Sequence, residues 1–239
     1  MRKFMILGAI LGLIGLTSPT RADFVIQIAE DGGAFTTVAS SSPGSSGTLT
    51  FSGTFGDFTI LGGFSKSNSP GTLSGANLQV GTLDITNDAL GSGSHTISIR
   101  VSAQGFTTPS GAGVGLVLAD TVSGSVNAGT LLIGHFAGSI DTSNALFATG
   151  MSAPTITFGP TGSQNSFSGS SSTGVDIGTT PYSMTLNGDW RLSNGGELTL
   201  TGGNGKVVVP EPASMVLLAL GGGLLGTFGL LRKREKKVG

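Results

Sequence analysis

His95 and His135 are the chain's two histidines, and a histidine metal centre would need both rings to converge with carboxylates. Nothing in their spacing brings them together, so both are read as structural. Oxygen ligands suited to calcium crowd at Asp84, Asn87 and Asp88 and again at Asp141, Ser143 and Asn144. Neither group follows the EF-hand loop or the nonapeptide calcium repeat, and no metal is expected at either. Nucleophilic chemistry has less support still. The chain has no Cys, which removes thiol catalysis, disulfides, Cys-ligated zinc and iron–sulfur clusters together. No Ser occupies the centre of a Gly-x-Ser-x-Gly elbow. Gly202, Gly203, Gly205 and Lys206 imitate a phosphate loop in composition alone, because Leu200 and Val207 stand where that loop needs Gly and Ser or Thr. Gly111, Gly113 and Gly115 open no helix and make no dinucleotide fingerprint. The eleven acids between residues 23 and 209 single out no pair for glycoside hydrolysis. No enzyme and no cofactor are expected. Sugar stacking would fall to Trp190 and Tyr182, the only Trp and the only Tyr, and Trp190 alternates with Leu192 as a core residue does.

Composition sets the backbone that would carry these groups. Between Asp23 and Val209 lie 187 residues, of which 53 are Ser or Thr and 33 are Gly. Such a mixture disfavours helix, because Gly loses the most backbone entropy there and hydroxyl side chains compete for backbone partners. Apolar residues recur instead with period two, as at Ile97, Ile99 and Val101 or at Val114, Leu116 and Leu118, with a further run at Val122 to Val126, which is the pattern of half-buried strands. Asn187-Gly188, Asn194-Gly195 and Asn204-Gly205 punctuate the last alternating runs. They predict successive hairpin turns in a β-meander, since both central residues of a type I′ turn take positive φ. Ser40 to Gly47, Ser65 to Gly75 and Gly159 to Gly174 read as loops from their Ser, Gly and Pro content. About ten to twelve short strands describe an all-β fold, an antiparallel sandwich or jelly roll, in one exported domain over 23–209.

That segment holds four bases, Lys66, Arg100, Arg191 and Lys206, against its eleven acids, a net charge of −7. Five of the chain's twelve basic residues lie in the last eight positions, so no basic groove is left for phosphates and nucleic acid is excluded as a partner. The N-terminus shows Arg2 and Lys3, an apolar run from Phe4 to Leu16, and Thr20-Arg21-Ala22 after a polar break. This is the layout of a signal peptide over 1–22, cleaved between Ala22 and Asp23. At the other end the nineteen residues Ala213 to Leu231 carry no charge and are long enough for a transmembrane helix. Arg232, Lys233, Arg234, Lys236 and Lys237 follow over 232–239, a basic tail that stays in the cytoplasm.

Pro210-Glu211-Pro212, the apolar stretch and the basic cluster stand in a fixed order, and residues 210–239 together resemble the PEP-CTERM sorting signal of Gram-negative-type bacteria. The resemblance implies an exosortase-type integral-membrane processing enzyme as partner, and the inner membrane as the location before processing. It implies the cell surface or extracellular matrix afterwards, with carriers linked to extracellular polysaccharide and biofilm. The layout makes physical sense as a stop-and-process device. Two prolines favour extended backbone, the form in which a peptide bond enters a processing cleft, and the basic cluster prevents the tail from following the span outward. The whole reads as an exported surface or matrix protein in a structural or interactive role. A carbohydrate-binding module and a single-pass membrane-anchored ectodomain are the alternatives.

Overall fold

The computed structural model describes residues 23–41, 47–89, 93–110, 115–178 and 181–210. The signal peptide, Glu211, Pro212, the 213–231 span and the basic tail fall outside these residues. Fifteen strands run through the described part. In chain order they are β1 Phe24–Glu30, β2 Thr36–Ser40, β3 Gly47–Phe55, β4 Phe58–Ser67, β5 Gly75–Val80, β6 Leu83–Asn87, β7 His95–Phe106 and β8 Leu116–Ala128. There follow β9 Thr130–Asp141, β10 Met151–Ser152, β11 Ile156–Phe158, β12 Thr161–Gly162, β13 Asn165–Val175, β14 Tyr182–Leu192 and β15 Glu197–Val208. One sheet has the order β10-β9-β14-β7-β1-β2, with β11 and β12 also paired to β9. The other has the order β13-β8-β15-β5-β4-β3, with β6 paired to both β15 and β4. Neighbours are antiparallel throughout, and the all-β antiparallel sandwich expected from the sequence is the fold. Among the described residues no helix is long and apolar enough to cross a membrane.

The period-two pattern decides which side chains enter the space between the sheets. In β14 the inward set is Met184, Leu186, Trp190 and Leu192, and in β8 it includes Leu116, Leu118, Val122 and Val126, all buried. Trp190 lies at the centre, its ring centroid 5.7 Å from that of Phe167 on the opposite sheet and 6.2 Å from that of Phe158. Two glycines make room for it. A Cβ on Gly134 would stand 2.8 Å from the indole, and one on Gly188 would stand 2.9 Å from its Nε1.

The chain passes from one sheet to the other at Gly129, between β8 and β9, and at Gly195, between β14 and β15, both at positive φ. Asn87 fastens this corner. Its side-chain amide donates to the carbonyls of Leu192 and Ser193, both at 3.1 Å, and its own N–H donates to the Gly196 carbonyl at 2.9 Å.

Three sequence expectations are corrected here. Asn194-Gly195 is a turn, but it joins two sheets and closes no hairpin; Asn187-Gly188 lies inside β14 and Asn204-Gly205 inside β15, so there is no terminal meander. The stretch from Gly159 to Gly174 is mostly strand, with Ser166, Ser168, Ser170 and Ser172 facing out along β13, and Ser65 to Ser67 close β4. The described residues form fifteen strands where about ten to twelve were expected, and some are longer: the apolar runs around Leu116 and Val122 are one strand of 13 residues, β8.

Candidate functional site

The outer face of the first sheet carries the polar residues that alternate with its core. On β14 these are Asn187, Asp189 and Arg191 and on β7 Thr96, Ser98 and Arg100; on β9 the outward residues are His135 and the apolar Ile133 and Ala137. Register sets them in rows across three strands. Asp189 stands between His135 on one side and Ser98 on the other, and beside them Ile133, Arg191 and Thr96 form the next row. Side chains in such rows stand roughly 5 Å apart.

A segment of the chain covers one half of this face. Residues 142–150 lie across it, held by Ser183 Oγ donating to the Ala145 carbonyl at 2.6 Å, Gln104 Nε2 donating to the Asn144 carbonyl at 2.6 Å, and the Phe147 N–H donating to Ser102 Oγ at 3.1 Å. Arg100 marks the boundary. Its guanidinium carbon sits 3.7 Å from the Phe35 ring centroid and 4.4 Å from that of Phe147, and its Nε donates to Gln27 Oε1 at 2.8 Å. The other half is open, a groove of about 510 Å³ bordered by the two rows and by Asp31 and Gly32. Among the described residues no side chain bonds the Asp189 carboxylate or the His135 imidazole, and Arg191 spends only its Nε–H, on Ser94 Oγ at 3.0 Å. The groove therefore presents free acceptors and donors side by side, with the apolar Ile133 exposed among them.

At the groove's rim stands a cluster that the spacing of the residues in the sequence does not foretell. Asp31 accepts the Thr96 N–H at 2.8 Å and meets His95 Nδ1 at 2.7 Å, while Asp57 Oδ2 lies 3.8 Å from the same nitrogen. The Thr96 N–H holds the Asp31 carboxyl below its ordinary range, with His95 adding to the effect. The bond to Asp31 raises the His95 pKa, and Asp57 and Glu30 contribute in the same direction. Ligand atoms of Glu30, Asp31 and His95 lie within 4.8 Å of one another, so these are the described residues that could share a cation. Both oxygens of Asp31 are already engaged, and Glu30 Oε1 accepts the Asp57 N–H at 3.1 Å.

The other sequence candidates have structural uses. Asn87 is wholly buried at the sheet-switching corner, and Asp84 accepts the Thr199 hydroxyl at 2.6 Å. Asp141 accepts the Ser143 hydroxyl and the Ala145 N–H, and Asn144 Oδ1 accepts the Gly105 N–H at 2.8 Å. Trp190 and Tyr182 are both in the core and offer no platform to a sugar.

Beyond the last strand, residues 208–234 match the family model of the PEP-CTERM protein-sorting motif, PEP_exosort_dom. The chain carries a PEP-CTERM sorting signal. The matched stretch of the PEP-CTERM signal contains Pro210, Glu211 and Pro212 and extends through Arg232, Lys233 and Arg234, leaving Lys236 and Lys237 beyond it. A PEP-CTERM signal implies export, sorting to the cell envelope and processing by an exosortase-type enzyme. No curated protein matches the chain in sequence. Among solved structures the chain is similar to TmCBM61, described in complex with β-1,4-galactotriose, at 9% identity over 62% of this chain and 86% of that one, with a TM-score of 0.30. That likeness is too distant to bear on what this PEP-CTERM protein binds.

Proposed function

We propose that the exported part is a cell-surface or extracellular-matrix component, associated with exopolysaccharide or biofilm, that binds neutral polysaccharide in the open groove and has a binding or structural role in place of catalysis. The observation that carries this reading is the pair of rows His135–Asp189–Ser98 and Ile133–Arg191–Thr96. Neighbouring sugar hydroxyls each donate and accept. A free carboxylate accepts from two of them, and a guanidinium two residues along the same strand, roughly 7 Å away, donates to the next pair. Ile133 offers an apolar contact for the C–H face of the ring. The net charge of −7 on residues 23–209 disfavours a polyanionic glycan. The sorting signal supports the location.

The test is an array of neutral and anionic glycans probed with the full chain, beside Asp189→Ala and Arg191→Ala. Hydrogen bonds to charged groups are worth about 1.5–3 kcal/mol each, so each variant is expected to lose about ten- to a hundredfold in affinity. Absence of saturable binding by the wild type, or binding indifferent to both substitutions, would overturn the assignment.

A further inference from the structure

We infer that β13 is the surface through which two copies of this chain pair, edge against edge, to make one continuous sheet.

An edge strand exposes a row of free N–H and C=O groups, and soluble proteins blunt such edges with short strands, bulges, prolines or charges. Three of the four edges here are blunted. β2 has five residues and pairs to β1 through a register shift; β10, β11 and β12 divide their edge into pieces of two or three residues; β3 is broken by a shift between Phe51 and Gly53. β13 is not. Among the described residues it pairs with β8 alone, in unbroken register from Asn165 to Val175, and its eleven residues contain no proline and no charge. No charged residue occurs anywhere between Asp141 and Asp176. The outward-facing residues of the next strand, Ala119, Thr121, Ser123 and Ser125, are uncharged as well.

The occupant that fits is a second copy. A copy of a domain carrying a net charge of −7 would be repelled at most approaches, yet here neither of the two outermost strands presents a like charge. The strand is also complementary to itself. An antiparallel two-fold centred on Ser170 sets Ser168 against Ser172 and Phe167 against Thr173, so outward residues meet outward residues and the core faces stay on one side. The exposed Ser168, Ser170 and Ser172 would then form hydroxyl pairs across the junction, a recognised cross-strand stabilisation. The closed two-fold stops at a dimer, and it leaves the groove of the other sheet free.

The absence of Cys makes the test direct, since any disulfide must come from a residue placed for it. In the full chain held in detergent, Ser170→Cys would bring two Cα atoms about 4.5–5.5 Å apart, inside the range a disulfide spans. Ser166→Cys would place its pair eight residues apart along the strand, about 27 Å. Mild oxidation is expected to cross-link Ser170→Cys at least about tenfold faster than Ser166→Cys. A mixture of Ser168→Cys and Ser172→Cys chains should cross-link where each alone does not. All four positions are exposed, so the melting temperature should match that of wild type and confirm that the variants fold. Equal rates at 170 and 166, as dimerisation through the C-terminal span alone would give, or no gain on mixing 168 with 172, overturns the pairing.

Discussion

Asp120 reaches across the sandwich to Gly138: its Oδ2 accepts the Gly138 N–H at 2.5 Å, from β8 of one sheet to β9 of the other. The contact works only because residue 138 has no side chain, since a Cβ there would fall 2.2 Å from Asp120 Oδ1. That second oxygen has no partner among the described residues, and the side chain is fully buried. Burial pushes the Asp120 pKa up to about 6, against the smaller downward pull of the Gly138 N–H.

This pair predicts an acid-favoured contribution to stability. Below pH about 4 the carboxyl is neutral in folded and unfolded chains alike, and the contribution is fully present. As pH rises from there towards 6 the unfolded chain ionises first, so stability falls across that window and is then level. A shift from 3.8 to about 6 corresponds to about 3 kcal/mol. Chemical denaturation of wild type and Asp120→Asn between pH 4 and 7 should show the wild type losing that amount relative to the variant. Parallel profiles would mean that the carboxyl is not held neutral.

A second titration has the same sign, but here it is the charged form that the fold favours. His95 gains from its bond to Asp31 when protonated, so its contribution is present below the ordinary histidine pKa and fades as pH rises through the raised value. In Asp31→Asn the His95 ring, followed by NMR, is expected to titrate at a lower pH than in wild type. An unchanged titration would assign the shift to Asp57 or Glu30 instead.

Neighbouring residues on β14 should separate stability from binding. Trp190→Ala empties the centre of the core and is expected to cost about 3–5 kcal/mol. Gly134→Ala drives a methyl into the indole and should cost about 1–3 kcal/mol. Asp189→Ala, one residue from Trp190 but on the outer face, should stay within about 0.5 kcal/mol of wild type while losing glycan affinity. Thermal melts read beside glycan binding check all three, and a destabilised Asp189→Ala would undo its use as a binding probe.

The same strand shows what the sequence could and could not convey. Alternation announced the strands and placed Trp190 in the core, because inside and outside differ at every second residue. Asn187-Gly188 looked like a turn because turn chemistry is read locally. Its actual use is long-range: Asn187 faces out opposite Arg100, and Gly188 is small to admit the indole. Gly205 likewise clears Leu186, whose Cδ2 would lie 2.6 Å from a Cβ there. β13 was masked by its serines, which resemble linker composition until the partner strand β8 is known. The groove was illegible for a related reason. His135 and Asp189 become neighbours only through the register of β9 on β14, which no local pattern encodes.

The sorting signal yields the last prediction. Replacing Pro210, Glu211 and Pro212 with Ala leaves the basic N-terminus, the apolar run and the nineteen uncharged residues from 213 to 231 intact, so export should proceed. What changes is the backbone in front of the span. Three Ala residues favour helix, which would extend the apolar segment outward and remove the extended stretch a processing cleft needs. In a host that carries the exosortase-type enzyme, the variant is expected to remain at full C-terminal mass in the cytoplasmic membrane, while wild type appears trimmed at the surface. Intact mass and immunoblots of the two fractions make the comparison. If both proteins fractionate alike with the same C-terminal mass, the tripeptide is not the processing determinant and the tail acts as a plain anchor.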